Sequence, residues 1–215
     1  MRDDSRTARW ERRSEVPLGV ASLFYLGAYA VHVLRPGLPV AVHVVCLTVT
    51  CAAWALFVVD YAVRWGLAGW GVRFVRRHWV DTVVVVLPLL RPLRLVRFYE
   101  AVQRRHGRAR LSLHARVMVY AGLSAGLLGF AASLTVYHHE RTAPHATIRT
   151  FGDAVWWACS TLATVGYGDV APVTVVGRLV AVGLMGCGLA LLGAVTGSFS
   201  SWLVQTFARE GPPES

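Results

Sequence analysis

Residues 161–172 read TLATVGYGDVAP, and this stretch constrains how the rest of the chain can be arranged. Gly166 and Gly168 flank Tyr167, between a tryptophan-containing apolar run and a second apolar run. Glycine weakens a helix, and a carboxylate such as Asp169 is costly near lipid. Non-helical backbone survives at membrane depth only where protein buries it or where it lines a wet cavity. The stretch therefore predicts either a loop tip buried in protein or the wall of a pore.

The composition indicates a membrane protein whose solvent, and first partner, is lipid. The chain has 215 residues, of which 55% are hydrophobic, above the roughly 45–50% of soluble domains. Several apolar runs approach the roughly 20 residues that cross a bilayer as a helix. We predict an all-α membrane protein with six transmembrane helices per subunit: Val16–Leu34, Val40–Val63, Trp79–Leu90, Arg91–Val102, Leu111–Tyr137 and Val173–Phe207.

A seventh, shorter segment precedes the opening stretch. Phe151–Ala163 reads FGDAVWWACSTLA, and as a helix it covers only about 20 Å, too little to cross a bilayer. It predicts a helix that enters the membrane and stops there.

Arginine positions predict the orientation. The net charge of +10 could indicate nucleic-acid binding, but the arginines lie between the apolar runs, which is typical of topogenic charge, and no nucleic-acid partner is expected. The loops on one side carry only Arg35, Arg141 and Arg149, so both termini are predicted to be cytoplasmic, in the plasma membrane. The opposite side carries Arg2, Arg6, Arg9, Arg12, Arg13, Arg64, Arg73, Arg76, Arg77, Arg104, Arg105, Arg108, Arg110, Arg116 and Arg209.

These segments divide the chain into two modules with short flanking parts. The basic and apolar residues of the connecting segment suit a helix on the cytoplasmic membrane surface. The predicted divisions are an amino-terminal tail (1–15), a four-helix module (16–103), an amphipathic linker (104–110), a two-helix module with the half-segment (111–208) and a carboxy-terminal tail (209–215).

The glycines at alternate positions suggest a chemistry for the opening stretch. They allow backbone angles that direct successive carbonyl oxygens to one side, and a column of such oxygens can replace the water around a dehydrated cation.

WWACSTLATVGYGD resembles the pore helix and selectivity filter of the potassium channel family, and it is the resemblance that names the ion. It implies potassium bound at Thr164, Val165, Gly166 and Tyr167, with Gly168 at the outer mouth. It implies that Asp169 hydrogen-bonds to Trp156 behind the filter, and that Trp156 and Trp157 are the paired tryptophans of the pore helix. Ser160 and Ala163 depart from residues that relatives often carry, so packing behind the filter is expected to differ.

One such loop supplies one wall, so the resemblance implies four subunits around a pore, a homotetramer in cyclic symmetry. The sixth helix would line the inner half of the pore. Its glycines favour close helix packing, and by register with the family Gly188 is the candidate gating hinge. The Pro-x-Pro bend common in animal relatives is absent.

The four-helix module is similar to a voltage-sensor domain. RPLRLVRF places Arg91, Arg94 and Arg97 at every third position, and FVVDYAVRW places Phe57 three residues before Asp60, like a charge-transfer site. Asp60 and Asp81 are the expected countercharges, because unpaired intramembrane charges are costly. Glu100 falls where a fourth positive charge is common, and Pro92 would disturb a continuous helix outside its first turn.

The function expected is passive, potassium-selective conduction through a voltage-gated channel. No enzyme activity, cofactor or soluble substrate is expected beyond the permeant potassium ions. One alternative is a potassium channel indifferent to voltage, whose sensor-like module is only an anchor. A second, of another class, is a non-conducting membrane subunit or scaffold. His138, His139 and His145 could suggest a metal site, but a solvated, pH-sensitive outer loop is the favoured interpretation.

Overall fold

The computed structural model describes residues 2–67 and 113–209, which are helical apart from short connections. The all-helical prediction is confirmed for these residues. The predicted third and fourth segments and the linker at 104–110 lie outside the described ranges. The helices are α1 (Arg2–Leu34), α2 (Val40–Leu67), α3 (Leu113–Glu140), α4 (Phe151–Leu162) and α5 (Val175–Arg209).

Four of the helices in the described ranges are long and apolar enough to cross a membrane. They correspond to the predicted first, second, fifth and sixth segments, and α4 is the predicted half-segment. The chain is a membrane protein. The apolar spans are Pro17–Leu34, Val40–Gly66, Ala115–Glu140 and Val175–Phe207.

Helices α1 and α2 form a hairpin. RPG interrupts the first apolar run, because proline cannot donate to a helical ladder, and α2 begins directly after Pro39. The Pro39 carbonyl accepts the amide of Val42 at 2.9 Å and starts the new helix. The two helices share a small core of Leu18, Tyr25, Ala53 and Phe57.

Helices α3, α4 and α5 form a second unit in which the two long helices contact each other and α4 packs against both. The Ser133 hydroxyl of α3 lies 2.7 Å from the Gly129 carbonyl and 3.2 Å from the Ala154 carbonyl of α4, so it bridges the two helices. A β-carbon at Gly129 would lie 3.1 Å from Leu162, so glycine is what permits this close approach. The shared core consists of Leu128, Ala131, Ala132, Val136, Ile148, Ala154, Trp157, Ala158, Ala181 and Leu184.

Helix α3 ends three residues later than the predicted boundary at Tyr137. His138 and His139 therefore lie in its last helical turn and are partly buried, so the prediction that they occupy a solvated loop is wrong. His145 does lie in the loop and is exposed. Among the described residues, no three His, Cys, Asp or Glu side chains are grouped as a metal site.

Helix α5 leaves much of its apolar surface uncovered within a single chain. Leu179, Val182, Leu189 and Val204 are each exposed by 63% or more. Such a surface needs lipid or another protein chain against it. This surface is consistent with a helix packed in a membrane assembly.

Candidate selectivity filter

Helix α4 is a short helix with a defined start. Thr150 is its N-cap, and its hydroxyl accepts the amide of Asp153 at 3.1 Å. The Asp153 carboxylate accepts the Thr150 amide at 2.8 Å in return, which completes a capping box. Twelve residues span about 18 Å, against a hydrocarbon core of about 30 Å. The helix can therefore enter a membrane but not cross it.

The backbone that follows α4 alternates in handedness. Thr164, Gly166 and Gly168 have φ of 59°, 57° and 75°, whereas Val165 and Tyr167 are not in the positive-φ region. Glycine adopts such angles without steric cost, which explains its alternate placement. An alternation of this kind turns successive carbonyl groups toward the same side of the chain.

Thr164 adopts the left-handed region although it carries a β-carbon, at a cost of about 1–2 kcal/mol. Three hydrogen bonds to the end of α4 hold the chain there. The Thr164 amide donates to the Thr161 carbonyl at 3.0 Å. The next two amides, of Val165 and Gly166, both donate to the Ser160 carbonyl, at 3.0 and 3.2 Å. The helix end thus binds the amides of the segment and leaves its carbonyls unused.

Those carbonyls are available for a ligand. Within residues 2–67 and 113–209, no hydrogen bond ends on a carbonyl oxygen of residues 164–168, and the whole segment is exposed in the single chain. Neutral oxygen donors in a row suit a cation that has lost its water. The arrangement can bind and pass cations once other walls close the pore.

The two tryptophans of α4 have different surroundings. Trp156 is half-exposed, and its indole N–H donates to the Asp169 carboxylate at 2.7 Å, which is the hydrogen bond expected from the sequence. Its ring also stacks on Tyr167, with centroids 5.3 Å apart and planes 9° apart. Trp157 is buried in the core between α3 and α5. One tryptophan therefore braces the segment at its outer end, and the other anchors the helix.

The comparisons with known proteins match this part of the chain. Residues 125–205 match the family model described as "Ion channel". Over 81 residues the chain is 33% identical to a voltage-gated potassium channel of Aeropyrum pernix, which covers 38% of this chain and 28% of that one. Residues 125–205 are thus similar to the ion channel domain of potassium channels.

Two further relatives differ in what their names say about gating. Over 66 residues the chain is 41% identical to a calcium-gated potassium channel of Thermoplasma volcanium, covering 31% of this chain and 19% of that one. Over 121 residues it is 32% identical to a cyclic nucleotide-gated potassium channel of Mesorhizobium japonicum, covering 56% and 33%. The matches thus span only a fifth to a third of these relatives. They indicate a channel protein and not an enzyme, which confirms that expectation.

Sequence reasoning missed Glu140, the last residue of α3. Its carboxylate is fully buried and accepts three hydrogen bonds at the start of α5. These come from the Val173 amide at 3.0 Å, the Thr174 amide at 2.9 Å and the Thr174 hydroxyl at 2.6 Å. A negative charge at a helix N-terminus is favourable. Glu140 thereby ties the end of α3 to the chain just before α5.

Gly177 makes room for that carboxylate. A β-carbon there would overlap the Glu140 carboxylate oxygen and lie 2.7 Å from Pro172. The signal in the sequence was present but faint: a glycine one turn into an otherwise apolar helix.

A second connection joins the loop before α4 to the chain that follows residues 164–168. The Thr147 hydroxyl donates to the Ala171 carbonyl at 3.1 Å and accepts the Ala171 amide at 3.0 Å. The loop before α4 is thus fixed to the chain after Asp169, so the segment between them is held at both ends.

The candidate hinge lies behind the filter. A β-carbon on Gly188 would be 3.5 Å from the Leu162 backbone, an ordinary contact distance, and α5 runs through this residue without interruption. Gly188 therefore packs on the end of α4.

The described part of the sensor-like module contains one of the expected countercharges. Phe57 is fully buried, and Asp60 beside it forms a buried ion pair with Arg64. The indole of Trp10 also donates to Asp60 at 3.2 Å, a contact that the sequence did not indicate. The other residues of the prediction, Asp81, Arg91, Arg94 and Arg97, lie outside the described ranges.

Replacing Glu140 with glutamine should lower the thermal stability of the purified channel. One of the three donors just before α5 would then face the N–H₂ group of the glutamine side chain. A buried donor without a partner costs about 1–3 kcal/mol. Thermal unfolding in detergent measures the effect, with Thr174→Val as a second variant that removes the hydroxyl's hydrogen bond to Glu140 and the one it accepts from the Gly177 amide. Thr174→Ser, which keeps the hydroxyl, is the control. An unfolding temperature equal to that of the wild type for Glu140→Gln would contradict this role.

The capping box should make the stability of α4 depend on pH. The backbone amides of Thr150 and then Arg149 hold the pKa of Asp153 below its ordinary value. Because the folded pKa is depressed, the stabilisation is complete above the usual aspartate pKa of about 3.9 and is lost as the pH falls through the folded pKa. The difference in unfolding temperature between wild type and Asp153→Asn should therefore be present near neutral pH and shrink below about pH 4. A difference that does not change with pH would disprove the assignment.

Proposed function

We propose that four copies of this chain surround a potassium-selective pore in the plasma membrane. The observation that supports it most is the backbone of residues 164–168, which alternates in handedness and has unused carbonyls, in a sequence that reads TVGYG. In this proposal, the Thr164 hydroxyl and carbonyl bind potassium at the inner end. Val165, Gly166 and Tyr167 supply carbonyls above it, and Gly168 forms the outer mouth.

The need for several copies follows from the exposure of this segment. Val165 and Tyr167 are 54% and 64% exposed in the single chain, and one segment cannot enclose an ion. A ring of identical chains would close the pore and would also cover the apolar surface of α5. The family resemblance supports four copies, and the arginine distribution supports cytoplasmic termini.

We propose that the channel is gated by voltage, through Arg91, Arg94 and Arg97. A charge that crosses the whole field gains about 2.3 kcal/mol per 100 mV, so three arginines supply at most about 7 kcal/mol per subunit. Four subunits would move a gate even if each charge crossed only part of the field. In this proposal Asp60 and Asp81 are countercharges, Phe57 belongs to the charge-transfer site, and α5 bends at Gly188 to open.

A potassium channel indifferent to voltage is the second candidate, and one contact favours it. Asp60 already has Arg64 and Trp10 as partners within the α1–α2 hairpin, so part of its negative charge is compensated there. A countercharge compensated in this way attracts moving arginines less strongly. The names of the three relatives refer to three different gating stimuli and do not decide the matter.

Replacing Gly168 with alanine should abolish potassium flux. A β-carbon at φ of 75° is strained, by about 1–3 kcal/mol, so the outer carbonyl would turn away from the pore. Potassium flux into sealed liposomes measures the effect. Gly122→Ala is the matched control, because a β-carbon there meets nothing within 4 Å. Wild-type flux and selectivity from Gly168→Ala would refute the filter assignment, and a wild-type protein that passes no potassium would support a non-conducting subunit.

Neutralising Arg94 and Arg97 together should flatten or shift the conductance–voltage curve in planar bilayers, because the charge that senses the field is reduced. Arg35→Gln, in the short loop between α1 and α2, is the control and should leave the curve in place. A curve that the double replacement does not alter would support the voltage-indifferent channel.

A further inference from the structure

Histidines from three helices meet at one end of the molecule. His32 lies in the last turn of α1, His43 in the first turn of α2, and His138 and His139 in the last turn of α3. The His32 ring centroid is 5.0 Å from that of His43 and 6.2 Å from that of His138. This is where the α1–α2 hairpin contacts the channel domain, at the end that the arginine distribution places outside.

The hydrogen bonds of His43 assign the protons of the pair. Its Nε2 lies 3.3 Å from the Pro36 carbonyl, which can only accept, so Nε2 carries the proton. In the neutral ring Nδ1 is then an acceptor. It lies 3.1 Å from the Nδ1 of His32, so His32 donates this hydrogen bond and holds α1 to α2.

This arrangement accepts one added proton but not two. A first proton fits on the Nε2 of His32, which the hydrogen bond does not use. A second proton, on the Nδ1 of His43, turns the acceptor into a donor and breaks the hydrogen bond. Two cationic rings would then lie side by side, and like charges at this distance repel.

The surrounding charges do not offset that repulsion. Arg141, directly after α3, donates to the Val33 carbonyl of α1 at 3.1 Å and lies over the Tyr137 ring, so it adds positive charge at the same place. The Glu140 carboxylate is occupied by Val173 and Thr174. The titratable and charged groups that the described elements bring to the pair are Arg141 and His138, and His138 in turn contacts His139.

The surroundings of His138 also disfavour added positive charge. Its Nδ1 is buried and has no hydrogen-bond partner among the described residues. His139 differs, because its Nδ1 lies 2.8 Å from the Thr135 carbonyl and donates to it. A positively charged His32 would therefore lie next to His138, which has no carboxylate partner among the described residues.

The last turn of α3 connects the pair to the channel domain. The Tyr137 ring contacts the ring of Phe151, the first residue of α4, at 6.1 Å. The neighbouring Glu140 holds the start of α5. A displacement of this turn would thus reach both the pore helix and the helix that follows the filter.

We propose that His32 and His43 form an extracellular proton-binding site that closes the pore on acidification. Above about neutral pH the pair holds the hairpin end together, with Arg141 joining it to α3. As external pH falls through the range in which histidines titrate, the second proton breaks the pair and the hairpin end separates from α3. The effect on conduction rests on the proposed channel function, whereas proton binding does not.

The first test measures proton binding alone. Imidazole ¹⁵N signals are followed against pH in lipid nanodiscs for the wild type, His43→Gln and His145→Asn. We expect His32 and His43 to titrate as a coupled pair in two steps, and His32 to titrate in one step once His43 is replaced. The exposed His145 has a φ of 60°, which asparagine tolerates, so its replacement should leave the coupled titration unchanged. Independent single steps for His32 and His43 in the wild type would overturn the site.

The second test measures potassium current in planar bilayers while only the outer solution is acidified, from about pH 8 to about pH 5. We expect the wild-type current to fall about fivefold or more, the lower end of typical coupling between sites. His43→Gln, which cannot take up the second proton, should keep its current, and His145→Asn should respond like the wild type. An equal acid response in His43→Gln would overturn the coupling. A protein that passes no current at either pH refutes the proposed function, while the ¹⁵N titration still decides the site.

Discussion

Backbone groups in a membrane need partners, and this constraint governs the channel domain. A hydrocarbon core offers no water to an open carbonyl, so an irregular segment at that depth requires surrounding protein or a wet cavity. Residues 164–168 meet this requirement for several amide groups, but within one chain their carbonyls have no partner among the described residues. The amides of Val165 and Gly166 are bound by Ser160 at the end of α4, and the carbonyls are left for another ligand. The position of α4 and the connections around it follow from the need to keep this segment open.

Three connections hold residues 164–168 in this conformation, each at a different point. Thr147 fixes the chain before α4 to Ala171 after the filter, Trp156 holds Asp169, and Glu140 holds the first residues of α5. All are hydrogen bonds to or from a specific atom, which apolar packing alone could not replace, because packing tolerates small displacements that would rotate a carbonyl. The strain of Thr164 at φ of 59° can persist only because the surrounding contacts fix both ends of the segment.

The sequence predicted well those features that depend on the length of an apolar run or on a local motif. Apolar run length predicted four spans to within a few residues in most cases, and the short run from Phe151 predicted a helix that stops. TVGYGD predicted where glycine would be needed, and the contact between Trp156 and Asp169 followed from the resemblance.

Contacts between distant parts of the chain were not predictable in the same way. Nothing in the local pattern at Glu140 indicates that the residues just before α5, 33 positions later, bind to it, and a glutamate beside two histidines suggested an exposed loop. The pairing of Trp10 with Asp60 spans 50 residues, and the hydrogen bond between His32 and His43 depends on how the hairpin turns at RPG. Each depends on tertiary geometry, which a single sequence specifies only through the whole fold.

The same distribution of contacts limits how the two modules can communicate. Among the described helices, α1 contacts α3 and the core it shares with α4 and α5 in more than one place: Leu26 packs on that core, and Arg141, directly after α3, binds the Val33 carbonyl. That turn also carries Tyr137, against the start of α4, and Glu140, against the start of α5. A movement of the hairpin at this end would be transmitted to α4 and to the start of α5, because the turn contacts both directly. Within the described residues, the end of α3 is therefore a place where a displacement of α1 can change the geometry of residues 164–168.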